Sequence, residues 1–121
     1  MVEFLIDPIG KPRMTRRDKW AHRKCVDEYF TFKDKLVLLA KKAKFTLPDK
    51  FRVEFLIRMP NSWSEKKKKL MIGKPHQQKS DLDNLVKALM DCLRKSDEGV
   101  YHIEMSKTWW DIGKIIIYGD K

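Results

Sequence analysis

Leu82, Leu85, Val86, Leu89 and Leu93 recur at steps of three and four residues, which lays one apolar stripe along a helix. A stripe of that width has to be covered, so this helix must pack on a core supplied by the rest of the chain. Two carboxylates, Asp81 and Asp83, stand at its mouth. Ser80 or Asp81 can cap it, because a short side-chain oxygen there accepts the free backbone N–H groups of the first turn. Asp83, Lys87 and Asp91 follow one another by one turn on a polar face beside the stripe. Asp91 lies two turns from Asp83, and a structural hydrogen bond or salt bridge is expected there.

The acidic row has two readings. One is a capped helix start with an Asp–Lys pair worth a few tenths of a kcal/mol on a solvated face. The other is a pair of oxygen ligands for a hard divalent cation. Charge favours the second: 27 Lys and Arg against 17 acids give a net charge of +10 and a pI near 9.7. Such a chain attracts polyanions, nucleic acid first and an anionic membrane surface second. The absence of a long apolar run or lipidation signal counts against the membrane. A length of 121 residues, 42% of them hydrophobic, fits one domain over residues 1–121. Met1 to Ile6 run straight into Asp7-Pro8, which is no signal peptide. Cys25 and Cys92 lack CxxC spacing and read as reduced thiols of a cytosolic protein, not as a zinc site.

Val2 to Ile6 predict a short strand, ended by Pro8, Gly10 and Pro12. Lys11, Arg13, Arg16, Arg17 and Lys19 crowd the next loop, where they suit phosphate contacts or a solvated basic turn equally. From about Asp18 to Ala43 the spacing predicts a long helix with Cys25, Tyr29, Phe32, Leu36, Leu39 and Ala43 inward. Leu47-Pro48-Asp49 turns the chain, and Phe51, Val53, Phe55, Ile57 and Met59 then alternate with polar residues as a half-buried strand. Asn61 to Glu65 can start a short helix capped by Ser62 or Ser64. Lys66, Lys67, Lys68 and Lys69 follow in a row, then Lys74, His76 and Lys79 on a Gly/Pro-broken stretch. Because this stretch leads straight into the acid pair, a substrate-gripping or mobile loop is expected. His76, with no second His or Cys at ligand spacing, reads as a loop residue or phosphate contact. Beyond the second helix, Tyr101, Ile103 and Met105 alternate with His102, Glu104 and Ser106, and Trp109 and Trp110 fit an interface or the core. Lys114 to Tyr118 are apolar on both faces, as a central strand is. The expected fold is α+β: one small domain in the order β-α-β-(loop)-α-β-β, with a mixed sheet packed against two helices.

Asp81-Leu82-Asp83-Asn84-Leu85-Val86-Lys87, followed by Asp91-Cys92-Leu93, resembles the hallmark of the RusA family of Holliday-junction resolvases. Lys11-Pro12-Arg13 and the Ser62-Trp63-Ser64 plus lysine segment are similar to the family's flanking features, and the likeness spans about residues 4–118. The resemblance implies a magnesium-dependent endonuclease, with manganese able to substitute. It would act as a two-fold homodimer on four-way or other branched DNA, in a bacterial cytosol or phage-infected cell. Paired symmetric nicks would resolve junctions in recombination and repair. Motif matching makes Asp81 and Asp83 metal ligands and gives Lys87 the family's essential lysine role. The third acid falls in Ser96-Asp97-Glu98-Gly99, where Asp97 is the first choice, then Glu98, then Glu104. The connection there is shorter than is usual in the family, and Ser96 replaces one acid.

A phosphodiester attacked in line by water builds charge on its non-bridging and leaving oxygens, which a carboxylate-held cation offsets. Magnesium takes such oxygens while keeping several waters. Lys87 could aim at the phosphate or restrain a carboxylate, and Asn84 could order the turn or a water. Two other classes compete: a non-catalytic DNA- or RNA-binding module, and a phage interaction protein using its basic face on an acidic partner.

Overall fold

The computed structural model describes residues 1–12, 24–96 and 98–119. Strand β1 (Val2–Phe4) leads to helix α1 (Lys24–Lys42) and strand β2 (Lys50–Arg58). Helices α2 (Glu65–Met71) and α3 (Leu82–Leu93) follow, then strands β3 (His102–Trp110) and β4 (Lys114–Gly119). The expected α+β order holds, with α2 as the short helix inside the loop. The strands form one mixed sheet in the order β1-β4-β2-β3. β4 pairs antiparallel with β1 and β2, while β3 runs parallel to β2. Parallel neighbours need a long crossover, and α2 and α3 are carried in it.

β4 is central, as its doubly apolar sequence predicts, with Ile115, Ile116 and Ile117 all buried. Phe4, Phe51, Val53, Phe55, Ile115 and Ile117 make one face of the sheet. Against it pack Tyr29, Phe32, Leu36 and Ala40 of α1 and Leu85, Val86, Ala88 and Leu89 of α3. The opposite face carries Arg52, Glu54 and Tyr118, with the Arg52 guanidinium 4.6 Å from the Tyr118 ring centre and 2.6 Å from Glu54.

Three expectations need correcting. The inward stripe of α1 is Val26, Tyr29, Phe32, Leu36 and Ala40, while Cys25 and Ala43 are exposed. Leu39 is half-buried and packs against the same core beside Ala40, and the chain turns back there: the N–H of Phe45 donates to the Ala40 carbonyl, and Lys44 adopts φ 52°. On β3, register places Ile103 and Met105 on the helix side, opposite Phe51 and Val53. At the sheet edge, however, Met105 remains 41% exposed, and Tyr101, ahead of the strand, 76%.

The third correction concerns the mobile alternative for residues 61–80, since this stretch is docked along the β3 edge. Gly73 N–H donates to Trp109 O (2.8 Å), Trp109 N–H to Lys74 O (2.9 Å) and His76 N–H to Lys107 O (3.1 Å). Covering an edge in this way removes a template for unwanted strand pairing. The Trp109 ring is buried between Trp63 (4.8 Å) and His76 (4.3 Å), which makes it core material. Ser64 caps α2 by accepting from the Lys67 N–H at 3.2 Å, as one of the two predicted caps.

Candidate active site

Asp81 occupies the N-cap position of α3 in extended geometry, and its carbonyl accepts the N–H groups of Asn84 and Leu85, each at 3.1 Å. Its carboxylate makes no capping hydrogen bond. The side chain is exposed at a helix N-terminus, where negative charge is favoured, and remains available to a ligand. Asp83 is exposed one residue further on, 4.0 Å from the Lys87 ammonium. A pair at that distance and exposure restrains neither partner firmly. Asp81, Asp83 and Lys87 thus share the exposed N-terminal half of α3, because the Leu85, Val86 and Leu89 stripe faces the core.

Two segments hold this end of the helix. The Lys107 ammonium donates to the carbonyls of Gln78 (2.7 Å) and Ser80 (2.6 Å), gripping the chain as it enters Asp81. The loop after β1 crosses the first turn of α3, with the Lys11 N–H directed at Asn84 O (3.5 Å). Gly10 permits the approach: a Cβ there would stand 2.7 Å from Asn84 Nδ2 and 3.4 Å from Ser80 Cβ. Gly10→Val is therefore expected to displace the Asn84 side chain and loosen the loop's seat on the first turn. Loss of amide hydrogen-exchange protection in the first turn of α3 checks it, and unchanged protection would count against the contact.

Asp91 meets its expectation of a structural role. It accepts a short hydrogen bond from the Tyr29 hydroxyl and one from Lys11 Nζ at 3.3 Å, with Lys33 Nζ at 3.5 Å. Burial works to raise the Asp91 pKa, but these hydrogen bonds and the Lys11 and Lys33 charges outweigh it and hold the carboxyl below its usual range. Tyr29 is shifted far upward by burial and then by Asp91, so it stays a neutral donor. The half-buried Cys92 thiol is pushed up to about 11 by burial first and Asp91 second, which leaves it unreactive. Lys11, Lys87, Met90, Asp91, Arg94, Lys95 and Ser96 line a cleft of about 320 Å³ beside the acid row.

The other predicted contacts separate. Lys66, Lys67, Lys69, Lys74 and Lys79 are exposed and Lys68 is half-buried. Four consecutive lysines on a helix point all round it at about 100° per residue, so the run is not one face. Lys67 lies 4.2 Å over the Trp63 ring and Lys68 4.0 Å from Glu65, leaving Lys66 and Lys69 together on one side. His76 is corrected: only 4% exposed, it is packed on Trp109 and cannot meet a phosphate. Burial, then the Lys107 charge, lowers its pKa. Lys11 is paired with Asp91 and therefore anchors a loop as well as offering charge.

Arg13, Arg16, Arg17 and Asp97 lie outside the described residues. Among the described residues, no group of three His, Cys, Asp or Glu could hold a metal ion. Glu98 does not supply the missing acid. Its N–H bonds Ser96 Oγ, and the next residue abuts Arg94 and Asp49, at the C-terminal end of α3. Arg94 secures that end by donating to Leu47 O, Asp49 and Ser96 O. The 12-residue helix puts about 18 Å between that end and Asp81, far beyond the span of one ion's ligands. Glu104 pairs in register with Arg52 and faces the opposite side of the sheet.

Lys107 is the residue that sequence reasoning missed. Its signal is a lysine in phase with Ile103, Met105 and Trp109 on the inward face of a strand.

Among the described residues, no helix is long and apolar enough to cross a membrane. No curated protein matches the chain. The family described as endodeoxyribonuclease RusA matches residues 6–118, nearly the whole chain, including every acid and lysine of the row on α3. With that match, the chain belongs to the RusA endodeoxyribonuclease family.

Proposed function

We propose that the protein is a divalent-metal-dependent endonuclease that cuts four-way and related branched DNA, with its metal site built on Asp81 and Asp83. The observation that carries this is the uncapped, exposed Asp81 carboxylate one residue from the exposed Asp83 at the start of α3, in a chain of a nuclease family. The donor set fits magnesium, which is commonly held by one or two carboxylates and otherwise keeps its waters and phosphate oxygens. Motif matching alone would add Asp97; its neighbours Ser96 and Glu98 stand at the opposite end of α3, so the site proposed here rests on Asp81 and Asp83.

When bound, magnesium, or manganese in its place, would activate the attacking water and offset charge on the phosphate and leaving oxygens. The chain's own residues do the rest. Asp81 and Asp83 fix the ion's place at the helix mouth. Lys87, loosely paired with Asp83, is free to turn its ammonium to the scissile phosphate. Gly10 and Asn84 keep the first turn packed under the loop, so that the carboxylates stay outward. Lys66, Lys69, Lys74 and Lys79 are exposed cations for the arms, and Arg13, Arg16 and Arg17 are added from the sequence alone. A two-fold dimer would present two such sites to a junction of matching symmetry, which accounts for paired nicks.

Purified protein, a synthetic four-way junction and a matched duplex, with and without magnesium, test the proposal. Metal-dependent symmetric nicking of the junction is expected, and junction binding without cleavage would overturn it. The latter result belongs to the second reading, a non-catalytic DNA- or RNA-binding module.

Charge neutralisation of the basic surface is a separate prediction. Neutralising Lys66 to Lys69 should weaken junction binding and flatten its salt dependence, and the double change Lys66→Ala with Lys69→Ala should carry most of the effect. A fall of about 2 in the log–log salt slope is expected for two lost phosphate contacts. Unchanged affinity and slope would leave the run a solvated surface.

A further inference from the structure

We propose that Lys107 is a positioning residue for the Asp81 ligand, an inference that rests on the metal-site reading above. The Ser80 carbonyl that it grips at 2.6 Å belongs to the peptide unit whose nitrogen is that of Asp81. The Gln78 carbonyl, at 2.7 Å, lies two residues earlier. One ammonium therefore fixes the chain at two points directly before the N-cap. The main chain of Lys107 adds a third, since its carbonyl accepts the His76 N–H at 3.1 Å.

The base of this clamp is firm. Lys107 sits on β3 in register with Phe55, which is 1% exposed in the core, so the side chain rises from a packed sheet toward the helix mouth. The bonds bridge 27 and 29 residues of sequence. Asp81 has no capping bond of its own to fix it, and Gly10 and Asn84 brace the other side of the same turn. The orientation of the Asp81 carboxylate thus depends on a backbone held from β3. A lysine suits the task because its tetrahedral ammonium can donate to two carbonyls at once while the charge stays near a site that gathers carboxylates. Methionine keeps much of the stem and removes the donors.

Magnesium titration of the DNA-free protein, followed at the backbone amides of Asp81 to Asn84 by NMR, tests the role. Wild-type protein should show a saturable shift that Asp81→Asn abolishes. Lys107→Met should raise the midpoint roughly tenfold, and Lys107→Arg should recover part of it. In cleavage assays, Lys107→Met should raise the magnesium concentration needed for half-maximal rate by a similar factor, with junction affinity unchanged. Should Lys107→Met fail to fold, Lys107→Gln takes the same titration with the same expected direction. A wild-type shift that the folded Lys107 variants leave at its original midpoint overturns the positioning role alone. No magnesium-linked shift in wild-type protein removes the metal site, and this proposal with it.

Discussion

Asp81→Asn is expected to lower junction cleavage by about a thousandfold, the scale on which one charge-stabilising group acts in a closed reaction site, and to leave junction binding intact or tighter. The two effects have opposite signs for one reason. A carboxylate at the helix mouth is useful to the reaction only through a cation, and without one it repels the phosphate. Its amide isostere keeps the shape, cannot serve as an anionic ligand and no longer repels. The change should cost little stability, because the Asp81 side chain is exposed and makes no capping bond whose loss would loosen α3. Asparagine caps a helix as well as aspartate does, so the companion variant Asp81→Ala is the one that tests for a cap; at a working N-cap it would cost about 1 kcal/mol. Three measurements separate the outcomes: junction nicking over a magnesium series, junction affinity in calcium or without metal, and thermal unfolding. Nicking at the wild-type rate would remove Asp81 from the site. A large loss of melting temperature in Asp81→Ala would instead mark it as a structural cap. Asp97→Asn, measured beside it, should match its loss of cleavage if the family's third acid acts here. Near-normal cleavage would define a two-carboxylate site.

What the sequence discloses and what it hides divides along physical lines. Periodicity reports which side of an element meets the core, and α3 shows it clearly because its large apolar residues are separated by polar ones. On α1 the same signal slips at the two ends, where Cys25 and Ala43 keep helical spacing but are exposed, while Val26 and Ala40 are buried in their stead. Charge pattern is less informative still. A lysine run reads as one patch in a line of letters, but helical geometry distributes it around α2, and Trp63 and Glu65 engage two of its members. His76 is polar and preceded by the breakers Gly73 and Pro75, yet docking of its segment on the β3 edge buries it against Trp109. Such docking depends on long-range pairing that has no local signature. The acid pair was legible because a motif is local; what holds it in place was not, since Lys107 and Gly10 reach the helix mouth from the edge strand β3 and from the first loop. The distance between Glu98 and Asp81 was hidden for the same reason, as it follows from where the α3–β3 turn closes.

Asp91→Ala carries the largest expected loss of stability, about 2–3 kcal/mol, or roughly 10 °C in melting temperature for a domain of this size. The Tyr29 residue is 1% exposed and its hydroxyl donates to Asp91, so truncation strands a buried donor. Lys11 and Lys33 lose their shared counter-charge in the same step. Tyr29→Phe alone should cost less, because the carboxylate keeps both lysines, and the double variant should cost less than the two single changes summed. The pH dependence has a fixed sign. Asp91 is held below its ordinary range in the folded protein, so its contribution is complete above the unfolded carboxyl value of about 3.9 and is lost as pH falls through the lower folded value. The stability gap between wild type and Asp91→Ala should therefore be constant from pH 7 to about pH 5 and shrink below about pH 4. A gap that stays fixed down to pH 3 would show that the charged form of Asp91 contributes nothing. The same cluster reaches the candidate active site, because Lys11 ties the first loop to Asp91 while its N–H points at Asn84. Loss of Asp91 should thus loosen the first turn of α3, and hydrogen exchange at Asp83 to Leu85 should rise before the helix as a whole opens.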